Sequence, residues 1–190
     1  MQAEGLLQPT TTWHSNSLKL DFAYPLSFKG EGPDKSADKP NKDCVTNPIA
    51  TMDMRTGFNM IFVRRYDTAC LAKKLKGLDP PSQEVVVANA MTSDILNNLG
   101  PSQITSHASY ELSTHPAYLI TGSVTVPHST GKNTIFSATA CVISGQYIGC
   151  FEFVSNDCAN LANLAASTIT FEGASPVPAI PPETTLGCKP

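Results

Sequence analysis

The sequence predicts an α+β domain: an antiparallel sheet with helices packed on both faces, an α/β/α sandwich. Two observations carry this. The segments run as strands, then two helices, then four strands, then a helix, so helices are segregated from the strands rather than alternating with them. The hairpin "TIFSATACVISGQYIGCFEFV" presents Phe136, Ala138, Ala140, Val142, Tyr147, Gly149, Phe151 and Phe153 on one face, which is almost wholly apolar. Its other face (Ile135, Ser137, Thr139, Cys141, Ile143, Ile148, Cys150, Glu152, Val154) is mixed but apolar enough to take a helix, so both faces are expected to be covered. At 190 residues and 41% apolar content the chain suits one packed domain with a loop and a tail.

Residues 1–16 read as a flexible polar lead and residues 17–173 as the sandwich domain. "SLKLDFAYPLSF" alternates, with Leu18, Leu20 and Phe22 on one face, and predicts a strand ending near Pro25. Residues 29–43, almost free of apolar side chains, predict a flexible surface loop. "IATMDM" and "FNMIFVRRYD" predict two strands joined at Thr56-Gly57. Asp67 is placed to cap a short helix that Gly77 ends. Pro80-Pro81 reads as a stop, after which Ser82 caps a second helix to about Asn98. Its expected inner stripe is Val87, Met91, Ile95 and Leu99. "SQITSHASYEL" and "AYLITGSVTV" predict two strands separated by Ser113 to Pro116, followed by the Cys141/Cys150 hairpin. Ser155-Asn156-Asp157 are placed to cap a third helix, "STITFEG" to add a short strand, and residues 174–190 to run on as a Pro-rich tail.

Four of these stretches carry a likeness. "LDFAYPLSF", "HPAYLITGSVTV", "GQYIGCFEF" and "SNDCANLANLAASTITF" together resemble the PsbP-like α/β/α sandwich superfamily, which includes extrinsic photosystem subunits, a Ran-binding nuclear-transport factor and bacterial lipoproteins. The resemblance implies a domain that binds proteins or stabilises assemblies. The superfamily shares no catalytic motif, so no functional residue is carried over from it.

Composition narrows the function classes. Charged residues make up 15% of the chain, against roughly 25% in an average soluble domain. The net charge of −3, and aromatics that do not interleave with basic residues, argue against a nucleic-acid partner. No apolar run reaches the roughly 20 residues of a transmembrane segment. Gln2-Ala3-Glu4 behind Met1 reads as the start of a mature chain whose signal peptide has been removed, and the cysteine count points the same way, to a secreted or periplasmic protein. A cytoplasmic protein is the alternative.

Catalytic chemistry finds little footing. There is no Gly-x-Ser-x-Gly elbow, no His-Glu-x-x-His and no pair of Cys-x-x-Cys motifs. His107 and Glu111 share a strand face and His115 follows the next turn, so a hairpin could gather them with Glu152 into a polar site. Arg64, Arg65, Lys73, Lys74 and Lys76 form the one basic cluster and the candidate anion patch. Cys44, Cys70, Cys141, Cys150, Cys158 and Cys188 are candidate disulfide partners, with loop Cys44 and tail Cys188 foremost. For Cys141 and Cys150 the turn decides. A Ser144-Gly145 loop sets them diagonally at about 7–8 Å, out of reach of a bond. A Gly145-Gln146 loop sets them directly opposite at about 4.5 Å. A three-residue loop sends them to opposite faces. The Ser-Gly loop is favoured.

The expected function is a non-catalytic binding or structural module with a protein or peptide partner and no cofactor. The alternatives are a hydrolytic enzyme, with carboxylate or histidine chemistry in a cleft between the sheet and the 29–43 loop, and a cytosolic chaperone or adaptor that grips a peptide.

Overall fold

A computed structural model of the chain describes residues 10–31, 40–54, 59–129, 131–157, 161, 164 and 166–181. The first strand, β1 (Thr10–Ser15), falls inside the stretch expected to be a flexible lead. It turns through Lys19 into β2 (Leu20–Pro25) and pairs with it from Thr10↔Pro25 to Ser15↔Leu20. Then come β3 (Lys29–Glu31), β4 (Val45–Met54) and β5 (Asn59–Asp67). The expected turn at Thr56-Gly57 lies outside the described residues, as does most of the 29–43 loop.

Helix α1 (Thr68–Lys74) starts as expected, with the Asp67 carboxylate accepting from the Cys70 N–H at 2.7 Å. Its end is a left-handed Lys76 followed by Gly77, whose N–H returns to the Ala72 carbonyl. Helix α2 (Pro80–Asn97) differs from expectation at its start. Asp79 is the cap, accepting from the Ser82 N–H, and Pro80-Pro81 form the first turn rather than stopping the chain. A proline costs nothing there, because first-turn N–H groups have no helical partner and its fixed φ suits a helix. Of the expected inner stripe, Val87 and Met91 are buried and Ile95 and Leu99 half-buried; Ala88, Thr92 and Leu96 complete the buried line, with Gln83 and Glu84 buried at its start.

The remaining strands are β6 (Ser102–Leu112), β7 (His115–His128), β8 (Gly131–Ser144), β9 (Tyr147–Ser155), β10 (Thr168–Phe171) and β11 (Val177–Pro178). Only Ser113 and Thr114 separate β6 from β7, both at positive φ, which makes a tight hairpin in place of the four-residue connection expected.

All pairings among the described residues are antiparallel. Seven strands form one sheet in the order β3-β4-β5-β9-β8-β7-β6, and four form a second in the order β1-β2-β10-β11. One face of the large sheet takes α1 and α2. Tyr66, Leu71, Val87, Ala88, Met91, Ile120 and Ile148 pack there, with Leu96, Val124, Ile135 and Val154 in a neighbouring cluster. Gly122 lets α2 sit close: a Cβ at that position would stand 2.9 Å from Leu96 Cδ1 and 3.1 Å from the Gln103 carbonyl.

The opposite face carries Ala138, Ala140, Val142, Phe151 and Phe153, as the hairpin pattern predicts. Helices were expected over it. Its described cover is the four-stranded sheet, with Phe22 against Phe151 at 5.1 Å, together with Leu161 and Leu164, both helical in backbone and buried. Val177 and Pro178 of the expected tail pair with β10, and Ala179 and Ile180 are buried.

Candidate functional site

Alternation along β5 builds the site. Ile61 and Val63 face the second sheet, and Phe62, Arg64 and Tyr66 face the helices. Above them α2 presents Val86, Val87, Ala90, Met91 and Asp94, positions that its helical period brings to one stripe. Leu71, Lys74 and Leu75 of α1 and its end close one side, with Asn41, Asp43 and Val45 beside them. The half-open cleft measures about 640 Å³, within the range of small-ligand pockets.

The wall at Asn41 to Val45 is held in several ways. Asn41 Oδ1 accepts from the N–H groups of Asp43 and Val45, and Lys74 Nζ donates to Asp43 Oδ1 at 2.9 Å. Cys44, at a φ of 63°, is bonded to Cys70 with 5.5 Å between Cα atoms. Lys74 pulls the Asp43 carboxyl below its ordinary value, mainly through that hydrogen bond. Opposite, Arg64 Nη1 stands 3.8 Å from Asp94 Oδ2. Burial pushes the Tyr66 hydroxyl up, and the neighbouring Arg64 charge draws it part of the way back.

Beside the cleft, Glu152 faces Phe62 across the β5–β9 ladder and is fully buried. Ser137 Oγ donates to Glu152 Oε1 at 2.7 Å, while Oε2 has no partner among the described residues. Burial raises its carboxyl from 4.5 to about 8, so it is neutral near pH 7. The hydroxyls of Thr92 and Thr139 meet beside it at 2.6 Å, tying α2 to β8. Glu84 on α2 is raised by burial to about 7.

The residues expected to form a polar site are spread apart. His107 and Glu111 are exposed on edge strand β6, where His107 stacks near Tyr118. His115 pairs with Leu112, which puts it on the opposite sheet face, where its ring stacks on Phe171 at 3.9 Å. Glu152 lies three strands from β6, under α2. No group of three metal-ligating side chains occurs among the described residues. The basic cluster divides too. Arg64 faces the cleft, whereas Arg65 points to the other face, over the Tyr147 ring at 4.5 Å and bonded to Thr46 and Ser17. Lys74 is paired with Asp43, and Lys73 and Lys76 are exposed.

Cys141 and Cys150 lie directly opposite and are bonded, with Cα atoms 4.1 Å apart. The favoured Ser-Gly loop is therefore corrected. Ser144 pairs with Tyr147, leaving Gly145-Gln146 as the loop, with φ of 59° at Gly145, as a type II′ turn requires. Cys158 and Cys188 lie outside the described residues. Sequence reasoning passed over Phe62, Tyr66 and Asp94. The alternation Phe62-Arg64-Tyr66 was readable, but which face of β5 would meet a helix was not.

No protein-family model and no curated protein sequence matches the chain. Solved structures do. The solution structure of cyanobacterial PsbP (CyanoP) from Synechocystis sp. PCC 6803 is similar at a TM-score of 0.57, with 10% identity, over 90% of this chain and 97% of that one. The crystal structure of LpqN, involved in cell envelope biogenesis of Mycobacterium tuberculosis, aligns at a TM-score of 0.45 and 14% identity over 85% and 91% of the two chains. The class defined is thus an α+β domain with a PsbP-like fold. No helix among the described residues is long and apolar enough to cross a membrane.

Proposed function

We propose that this chain is an extracytoplasmic, non-catalytic binding module that takes an apolar ligand, or an apolar segment of a protein partner, into the cleft between β5 and its helices. One observation carries the reading. The cleft is walled mainly by apolar side chains, and its charges stand in opposed pairs, Lys74 with Asp43 and Arg64 with Asp94. General acid–base catalysis favours a group whose pKa is moved towards the working pH, and the shifted groups of the cleft, Asp43 and Tyr66, are moved away from it. The two carboxyls most strongly raised, Glu84 and Glu152, do not line the cleft. The disulfides Cys44–Cys70 and Cys141–Cys150 support a compartment that is oxidising.

Thermal-shift screening of the intact protein tests the binding role. A ligand should raise the melting temperature, be recovered chemically unchanged by mass spectrometry, and lose its effect in Ala90→Trp, which plugs the cleft from an exposed helix position. Recovery of a converted product would sink the non-catalytic reading. Alkylation of cells before lysis tests the compartment: free thiols at Cys44, Cys70, Cys141 and Cys150 in the native source would count against it.

A further inference from the structure

The cleft also holds information about what enters it, an inference that rests on the binding role above. Phe62, Val87 and Met91 offer an apolar bed. Of the two cations in the cleft, Lys74 is committed, at hydrogen-bond distance from Asp43 and within reach of the Lys42 carbonyl. Arg64 is not. Its contact with Asp94, at 3.8 Å, is longer than a hydrogen bond. The Asp94 side chain is 68% exposed and that of Arg64 26%, so the acid lies out towards water while the guanidinium stays in the cleft. Asp94 can therefore swing into solvent at small cost, because an exposed ion pair is worth little. Arg64 then presents a planar fork of N–H donors, at the end of an apolar bed, with no hydrogen-bonded acid on it.

We propose that the ligand of this cleft is a small apolar carboxylic acid, its hydrocarbon body against Phe62, Val87 and Met91 and its carboxylate on Arg64 in place of Asp94. The carboxylate is favoured over a neutral head because a guanidinium forms two parallel hydrogen bonds with it. It is favoured over a dianion because Lys74 is neutralised by Asp43, which leaves Arg64 as the one cation in the cleft to meet an anion's charge. Asp94 is then a weak competitor for the empty site, and Arg64 is the residue that selects the head group.

Calorimetric titration with phenylbutanoate, and with phenylbutanol as its neutral counterpart, tests this on the intact protein. The acid should bind at least roughly tenfold more tightly than the alcohol, the worth of one charge-assisted hydrogen-bond pair. Arg64→Met, which keeps the apolar stem, should erase that preference. Asp94→Asn keeps the cation and removes the competitor, and should tighten the acid severalfold and widen its margin over the alcohol. This second variant guards against a folding defect in the first. Equal affinity for acid and alcohol, an unchanged preference in Arg64→Met, or weaker acid binding in Asp94→Asn would overturn the assignment. Any of these with Ala90→Trp still blocking uptake leaves the binding role standing. Uptake that Ala90→Trp does not block removes both.

Discussion

Glu152 sets the pH response of the domain. Its carboxyl has a partner on one oxygen only among the described residues and is raised from 4.5 to about 8 by burial. The folded protein thus holds a proton that the unfolded chain releases above its ordinary value. Between those limits the native state binds more protons than the unfolded one, so stability falls as pH rises. This contribution is fully present below about pH 4.5 and is lost progressively up to about pH 8. Glu152→Gln keeps the acceptor for Ser137 and cannot ionise. Thermal melts should show the wild type losing stability relative to this variant from about pH 5 to about pH 8, by on the order of a few kcal/mol. Glu84 adds a slope of the same sign, common to both proteins. At a second position, Thr114, a β-branched residue holds a φ of 68° on an exposed turn. Thr114→Gly should stabilise the protein by about 1 kcal/mol in urea unfolding, because glycine adopts that conformation without a clash. The sequence made Glu152 conspicuous as a carboxylate in an apolar strand. It could not tell whether water or a helix would cover that face.

Helix α2 is the element on which the site depends, since it roofs the cleft and covers Glu152. Its height above the sheet is set at Gly122. A Cβ there would press on Leu96, on the Gln103 carbonyl and on Thr92 Cγ2, two of them helix side chains and one rigid backbone. Gly122→Ala should cost about 1–3 kcal/mol in denaturant unfolding, and by lifting α2 it should widen the cleft and weaken ligand binding. The strands were largely legible, because alternation is a local signal: β5, β8 and β9 fall where Phe62, Phe136 and Phe153 place them. Turn registers were less so. Ser-Gly and Gly-Gln at the β8–β9 tip keep the same faces inward, so hydrophobicity could not choose between them. The prolines of α2 misled for a related reason, since a proline pair both ends helices and begins them.

Two sheets and, among the described residues, two disulfides organise the molecule. Both cystines are on the helix-covered side, but they differ in access: Cys141 and Cys150 are fully buried at mid-sheet, whereas Cys70 is half-buried in a seven-residue helix near the cleft mouth. Under mild reduction Cys44–Cys70 should open first, followed by timed alkylation and peptide mapping. Its loss should cost about 3 kcal/mol and should loosen the wall at Asn41 to Asp43. Simultaneous opening of both pairs would contradict this order. The second layer was the least legible part. β1 reads as a polar Thr run and β11 is two residues long, so neither carries a pattern strong enough to announce a sheet. Their pairing is a tertiary fact, set by Phe22 and Ile169 meeting the large sheet's apolar face.

That second sheet joins β1 and β2, which precede the strands of the large sheet in the sequence, to β10 and β11, which follow them. A growing polypeptide released as far as Ser155 already owns every strand of the large sheet, yet only half of what must shield Phe151 and Phe153. The apolar face of the large sheet is therefore closed only once residues 168–178 have been made. A chain cut after Ser155 should form its helices and its central disulfide and still display an uncovered greasy wall, bound by chaperones and soluble only in their company. Seen this way, the short closing strands act less as decoration on the fold than as its certificate of completion.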